Sequence, residues 1–114
     1  MRYRDLDIWK KGIGLVKDVY KITETYPAIE IYGLSSQLRR AAISIPSNIA
    51  EGFRRNNNKE FRRFLLIALG SCAELETQST ISRELEYITQ AQEGIFLEEL
   101  DHVSRMILNL IKKL

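Results

Sequence analysis

"RRAAISIPSNIAEGFRR", residues 39–55, is the stretch on which the fold turns. Leu38, Ala41, Ala42, Ile45 and Ile49 recur at helical spacing, and Ala50 and Phe53 continue the same side. Yet the run holds a proline, a glycine and two Arg-Arg pairs. A proline inside a helix costs about 3 kcal/mol, because it removes one hydrogen bond and its ring crowds the carbonyl four residues back. Here that carbonyl belongs to Ala42, with the hydroxyls of Ser44 and Ser47 close enough in sequence to serve a local cap. Because the apolar face persists across Pro46, the spacing predicts one helix over residues 34–54. It is kinked near Pro46, or built as two nearly collinear halves.

Working outward, the same periodicity predicts three more helices. Toward the N-terminus, Leu6, Trp9, Ile13, Val16 and Tyr20 form a stripe widened by Ile8, Leu15, Val19 and Ile22, so a helix is expected over 5–25. Pro27 ends it, since the residue before a proline is biased out of the helical region. "PAIEIYG", residues 27–33, reads as a short ordered connection. Its "AIEIY" could pass for a weak strand, but it would have no partner. Beyond the opening stretch, Asn57 followed by Glu60 has the spacing of a helix cap, which starts a long helix over 58–88. Phe61, Phe64, Leu65, Ala68, Cys72, Leu75 and Leu85 line it. Thr89 and Gln92 repeat the capping spacing, and Phe96, Leu100, Val103, Ile107, Leu110 and Leu114 stripe a last helix over 92–112. Four amphipathic helices with short connections predict an all-α chain, one domain over residues 1–114, folded as an antiparallel up-and-down four-helix bundle.

Composition narrows the functional classes. Hydrophobic residues make up 45% of the 114, enough for a real core. Cys72 is the only cysteine, so no internal disulfide can form, which suits a reducing compartment. The opening "MRYRDLDIWKK" has no apolar signal core, and "FLLIALG" at 64–70 is far short of the roughly 20 residues that span a bilayer. A cytoplasmic protein without a membrane partner is expected. The net charge is only +2, but it is unevenly spread: residues 34–63 carry seven basic and two acidic groups, and residues 64–114 carry four and eight. Such asymmetry can steer a polyanion, or a second copy turned the other way.

Catalysis finds little footing. Glu99 and His102 share a helix face, but a dinuclear carboxylate site needs two such Glu-x-x-His pairs, and His102 is the only histidine. Asp101 beside His102 points elsewhere on a helix, and Cys72 falls on the apolar stripe of its own. There is no phosphate loop, zinc spacing or hydrolase elbow. The sequence predicts a non-enzymatic protein with no metal and no cofactor.

"YRDLDIWKKG", "YGLSSQLRRAAISIPSNIAEGFRR" and "EFRRFLLIALGSCAELETQ" together cover most of the chain. They resemble the small four-helix-bundle proteins encoded in intervening sequences of bacterial 23S ribosomal RNA genes, the S23 family. A related branch is similar to the accessory proteins of diversity-generating retroelements, which work with a reverse transcriptase and nucleic acid through a basic surface. The resemblance implies a left-handed bundle assembled as a ring-like homopentamer, and brings no settled catalytic motif. Tyr3, Asp5, Leu6 and Trp9 match its N-terminal signature. Pro46, Asn48, Glu51 and Gly52 match its proline-containing helix. Arg54 and Arg55 replace a more usual glycine-basic pair.

Two readings of function follow. The first is a non-enzymatic homo-oligomeric scaffold that binds RNA or DNA through its phosphates, using Arg39, Arg40, Arg54, Arg55, Lys59, Arg62 and Arg63. Adjacent arginines cannot point the same way, so one member of each pair is expected to meet a glutamate or another subunit. The alternative is a protein-interaction scaffold, whose basic stripe serves subunit assembly or an acidic protein partner. An exposed basic surface favours the first; arginines buried against acidic helices favour the second.

Overall fold

The computed structural model describes residues 1–114 and contains helices with no strand. After a 3-10 turn at Tyr3–Asp5 come α1 (Asp7–Thr23), a second 3-10 turn (Ala28–Glu30), α2 (Leu34–Arg54), α3 (Asn58–Glu84) and α4 (Gln90–Lys112). Each helix packs on its neighbours in sequence and α1 returns to α4, which closes an up-and-down four-helix bundle. The "AIEIY" segment is thus a turn of 3-10 helix rather than a strand.

α2 runs without interruption through Pro46, which is itself buried. The proline sits against Gly12 of α1. A Cβ added at Gly12 would lie 3.2 Å from Pro46 Cβ and 3.3 Å from its Cδ. Six residues on, Gly52 serves the same purpose toward α3, where an added Cβ would lie 2.6 Å from Phe64 Cβ. Proline and glycine, which look like helix breakers in the sequence, are the two contact points of α2: the Pro46 ring fills the space left by Gly12 of α1, and Gly52 leaves space for Phe64 of α3. Beside the proline, Ser71 of α3 donates to Ser44 Oγ at 2.9 Å, and the Asn48 amide donates to the same hydroxyl and to the Ser44 carbonyl.

The core is built from Leu38, Ile45 and Ile49 of α2, Leu65, Cys72 and Leu75 of α3, and Phe96, Leu100, Val103 and Ile107 of α4, all buried. α1 requires a correction. Its inward residues are Ile8, Gly12, Leu15, Val19 and Thr23, whereas Ile13 and Tyr20 are exposed. Apolar residues surround most of α1, so periodicity alone gives a wide face. Contact with Pro46 selects the side carrying Gly12.

The helix ends follow local chemistry. Asn57 caps α3 by accepting from the Glu60 amide at 3.1 Å, and Thr89 with Gln92 forms a full capping box on α4. α3 ends at Glu84 and not at 88: Glu86 takes a left-handed φ of 64°, its amide reaches the Arg83 carbonyl, and the Tyr87 amide reaches Ser82. That is a Schellman stop with glutamate where glycine is usual. Ile88 therefore leaves the helix but stays buried, and Leu85 lies half exposed. α1 is also shorter than 5–25 by two residues at each end, and α4 begins two residues before 92.

Candidate nucleic-acid interface

The up-and-down order brings three chain segments to one end of the bundle: the N-terminal turn, the α2–α3 connection, and the last turn of α4. Contacts fix this arrangement. Arg54 Cζ lies 5.4 Å from the Tyr3 ring centre, and Arg62 donates to the main-chain carbonyl of Leu114. Residues 1–7, 51–63 and 112–113 place nine basic side chains there against four carboxylates. At the opposite end, residues 21–33 and 80–93 carry two basic groups and five carboxylates. There Tyr87 OH donates to Glu30 at 2.7 Å, and the other Glu30 oxygen accepts from the Leu34 amide at the start of α2. The Tyr87 hydrogen bond, with the Leu34 amide second, holds the Glu30 carboxyl below its usual range.

The seven cations singled out in the sequence do not form one patch. Arg54, Arg55, Lys59, Arg62 and Arg63 gather at the basic end. Arg40 is about 21 Å away from Arg54 along α2 at 1.5 Å per residue. It lies in a polar groove between α2 and α3, with Tyr32, Gln37 and Glu74. Arg39 turns the other way: its Nε donates to Thr23 Oγ1 at 2.9 Å and its guanidinium stacks 4.5 Å from the Tyr20 ring centre. It joins α1 to α2. Among the five at the end, Arg55 faces Glu51 at 3.6 Å and Arg63 faces Glu60 at 3.2 Å. Both also lie over the Phe64 ring. The Arg63 hydrogen bond draws the Glu60 carboxyl below its usual range and raises Arg63. The Arg55 pair is a single exposed contact that holds little energy, whereas Arg63 engages both Glu60 oxygens through Nε and Nη2 and has only its other edge left for a further acceptor.

Sequence reasoning missed Arg2 and Arg4. Arg4 lies 5.5 Å from the Tyr3 ring centre and 5.4 Å from that of Trp9, so Tyr3 holds Arg4 and Arg54 together. The alternation Arg2-Tyr3-Arg4, basic residues interleaved with an aromatic, was the available signal. Its link to Arg54 exists only in the folded chain.

Of the remaining reactive side chains, Asp18, Glu99 and His102 line one open groove between α1 and α4. Cys72 is buried in the core, and burial pushes its thiol pKa up. His102 is exposed on α4, and Glu99 looks across to Asp18 of α1, with burial first and Asp18 second raising its carboxyl. No three His, Cys, Asp or Glu side chains are placed to share a metal ion. No helix is long and apolar enough to cross a membrane.

A narrow helical bundle with one basic and one acidic end is the class that fold and charge define. The family model described as 23S rRNA-intervening sequence protein matches residues 4–109, and the chain belongs to that family. Its fold is also similar to a crystal structure of a protein of unknown function from the S23 ribosomal protein family of Bacteroides thetaiotaomicron. The TM-score is 0.81 at 23% identity, over 92% of this chain and 98% of that one. No curated protein matches.

Proposed function

We propose that this chain is a non-enzymatic, homo-oligomeric scaffold of the cytoplasm that holds RNA or DNA by its phosphates, without reading bases. What carries the reading is the gathering of Arg54, Arg55, Lys59 and Arg63 with Arg2 and Arg4 at one end of a bundle whose other end is acidic. Phosphate contacts from such a surface give salt-dependent affinity and little sequence preference. A branch of the family that is similar to the accessory proteins of diversity-generating retroelements would use such a basic surface on nucleic acid, and the proposal extends that use to this chain. A test follows from which cations are already engaged. Arg39 and Arg62 tie helices together, so the informative variant is Arg54→Gln, Arg55→Gln, Lys59→Gln. Its affinity for a 20-nucleotide RNA and for duplex DNA should fall together. The slope of log affinity against log salt should shallow by about one unit for each phosphate that is no longer neutralised. An intact variant with unchanged affinity and slope would overturn the reading.

A second reading has its own support. The opposite charges of the two ends, and the exposed Leu66, Ile67 and Ile81 on the outer side of α3, suit protein contact. Under that reading the basic end meets an acidic protein or another subunit, and the triple variant loses assembly while nucleic acid has no effect.

A further inference from the structure

The basic end contains an open recess of about 370 Å³ whose lining includes Arg2, Tyr3, Arg4, Phe53, Arg54 and Asn56. Its two central cations differ from the other arginines of that end. Arg55 and Arg63 face glutamates and Arg62 a carbonyl, but Arg4 and Arg54 have no carboxylate within 4.0 Å. Both lie within 5.5 Å of the centre of the same Tyr3 ring, so their guanidinium carbons are at most about 11 Å apart. Exposed like charges more than about 8 Å apart are largely screened at physiological salt, so the two guanidiniums can share this end without a carboxylate between them. Stacking on Tyr3 and Trp9 restricts their rotamers before any ligand arrives. Asn56 adds a side-chain amide from a residue in the left-handed region, φ 53°, a conformation asparagine tolerates better than most.

We infer that this recess binds a phosphate monoester, the terminal phosphate of a nucleic-acid strand, with Arg4 and Arg54 as its charge partners. A monoester carries close to two negative charges at neutral pH and three strong acceptor oxygens, which match two unpaired guanidiniums and one amide. An internal phosphodiester carries one charge and leaves one arginine uncompensated. The inference rests on the nucleic-acid reading proposed above and narrows it to one strand end.

The test compares 12-nucleotide RNAs of one sequence bearing a 5′-phosphate, a 3′-phosphate or only hydroxyl ends, with AMP as a free monoester, by fluorescence anisotropy competition at 150 mM salt. A phosphorylated strand should bind at least roughly tenfold tighter than the hydroxyl strand, as expected for two charge-assisted hydrogen bonds. Arg4→Gln with Arg54→Gln should abolish that preference, while Arg40→Gln keeps it. Both altered arginines are exposed, so the helical circular dichroism should be unchanged. AMP competing as well as the strand would keep the monoester site but assign it to a free nucleotide, overturning the strand-end form. Equal binding of all strands would overturn the recess and leave the basic end standing. A preference that survives the double variant would move the site elsewhere. Failure of every strand to bind would overturn the broader reading instead.

Discussion

Gly52 and Gly94 are both helical glycines, and they should respond to alanine in opposite directions. At Gly52 the new methyl would meet Phe64 Cβ at 2.6 Å, an atom fixed to the α3 backbone, and Phe61 at 3.1 Å. Overpacking of this kind costs about 1–3 kcal/mol, only partly offset by better helix propensity. At Gly94 nothing lies within 4 Å, so alanine should add about 0.5–1 kcal/mol. Urea midpoints at one fixed protein concentration provide the check, and a stabilised Gly52→Ala would show that α2 and α3 are not held at this spacing. The sequence marks both positions only as glycine. Which one is pressed against a neighbour depends on the register between α2 and α3, and no local pattern encodes that register.

At the scale of the element, much was legible because it is local. The bounds of α2 follow from its uninterrupted apolar face, and the Asn57 and Thr89 caps follow from side chains three residues from their targets. The end of α3 was not legible, since its stop uses Glu86 in a conformation that costs a residue with a Cβ roughly 1–2 kcal/mol. Glu86→Gly should therefore raise stability by about 1 kcal/mol without moving the helix end, measured by the thermal midpoint. An unchanged or lower midpoint would mean that the Glu86 side chain returns as much as the strain removes. The Glu30–Tyr87 hydrogen bond couples the two connections at this end and gives a pH signature. A carboxyl held below its usual range contributes stability that is present above that range and fades as pH falls through its lower folded value. Tyr87→Phe should thus lower the melting temperature near pH 6, and the gap from the parent should close toward pH 3. A gap independent of pH would assign the loss to packing against Tyr26, whose ring centre is 5.1 Å from that of Tyr87.

At the scale of the molecule, the bundle was readable from four periodic segments, whereas the candidate interface was readable only in part. Seven cations stood out by their density in sequence, but the fold separates Arg39 and Arg40 from the rest and recruits Arg2 and Arg4 through Tyr3. Those partners are some fifty residues apart along the chain, beyond any periodic signal. The exposed Leu66, Ile67 and Ile81 leave α3 an outer face suited to burial between subunits. Sedimentation equilibrium at micromolar concentration should give the mass of a pentamer of 13.2 kDa chains. A monomer would end the assembly proposal, and a dimer would keep assembly while discarding five. Leu66→Glu should shift the distribution toward smaller species if α3 forms the interface, with helical content preserved.

An even number of antiparallel helices returns a chain to the side from which it started, and here Tyr3 and Leu114 both rest at the cationic end, against Arg54 and Arg62. A purification tag fused to either terminus would consequently emerge over the surface proposed for nucleic acid. An acidic or bulky tag there would compete with the ligand and make a competent protein look inert. The connection at Ala28–Tyr32, on the far end and mostly exposed, is the better place for a label or an affinity handle. Because the two termini lie at the same end of the bundle, joining them through a short linker and opening the chain at that same connection should preserve the bundle while clearing the cationic end.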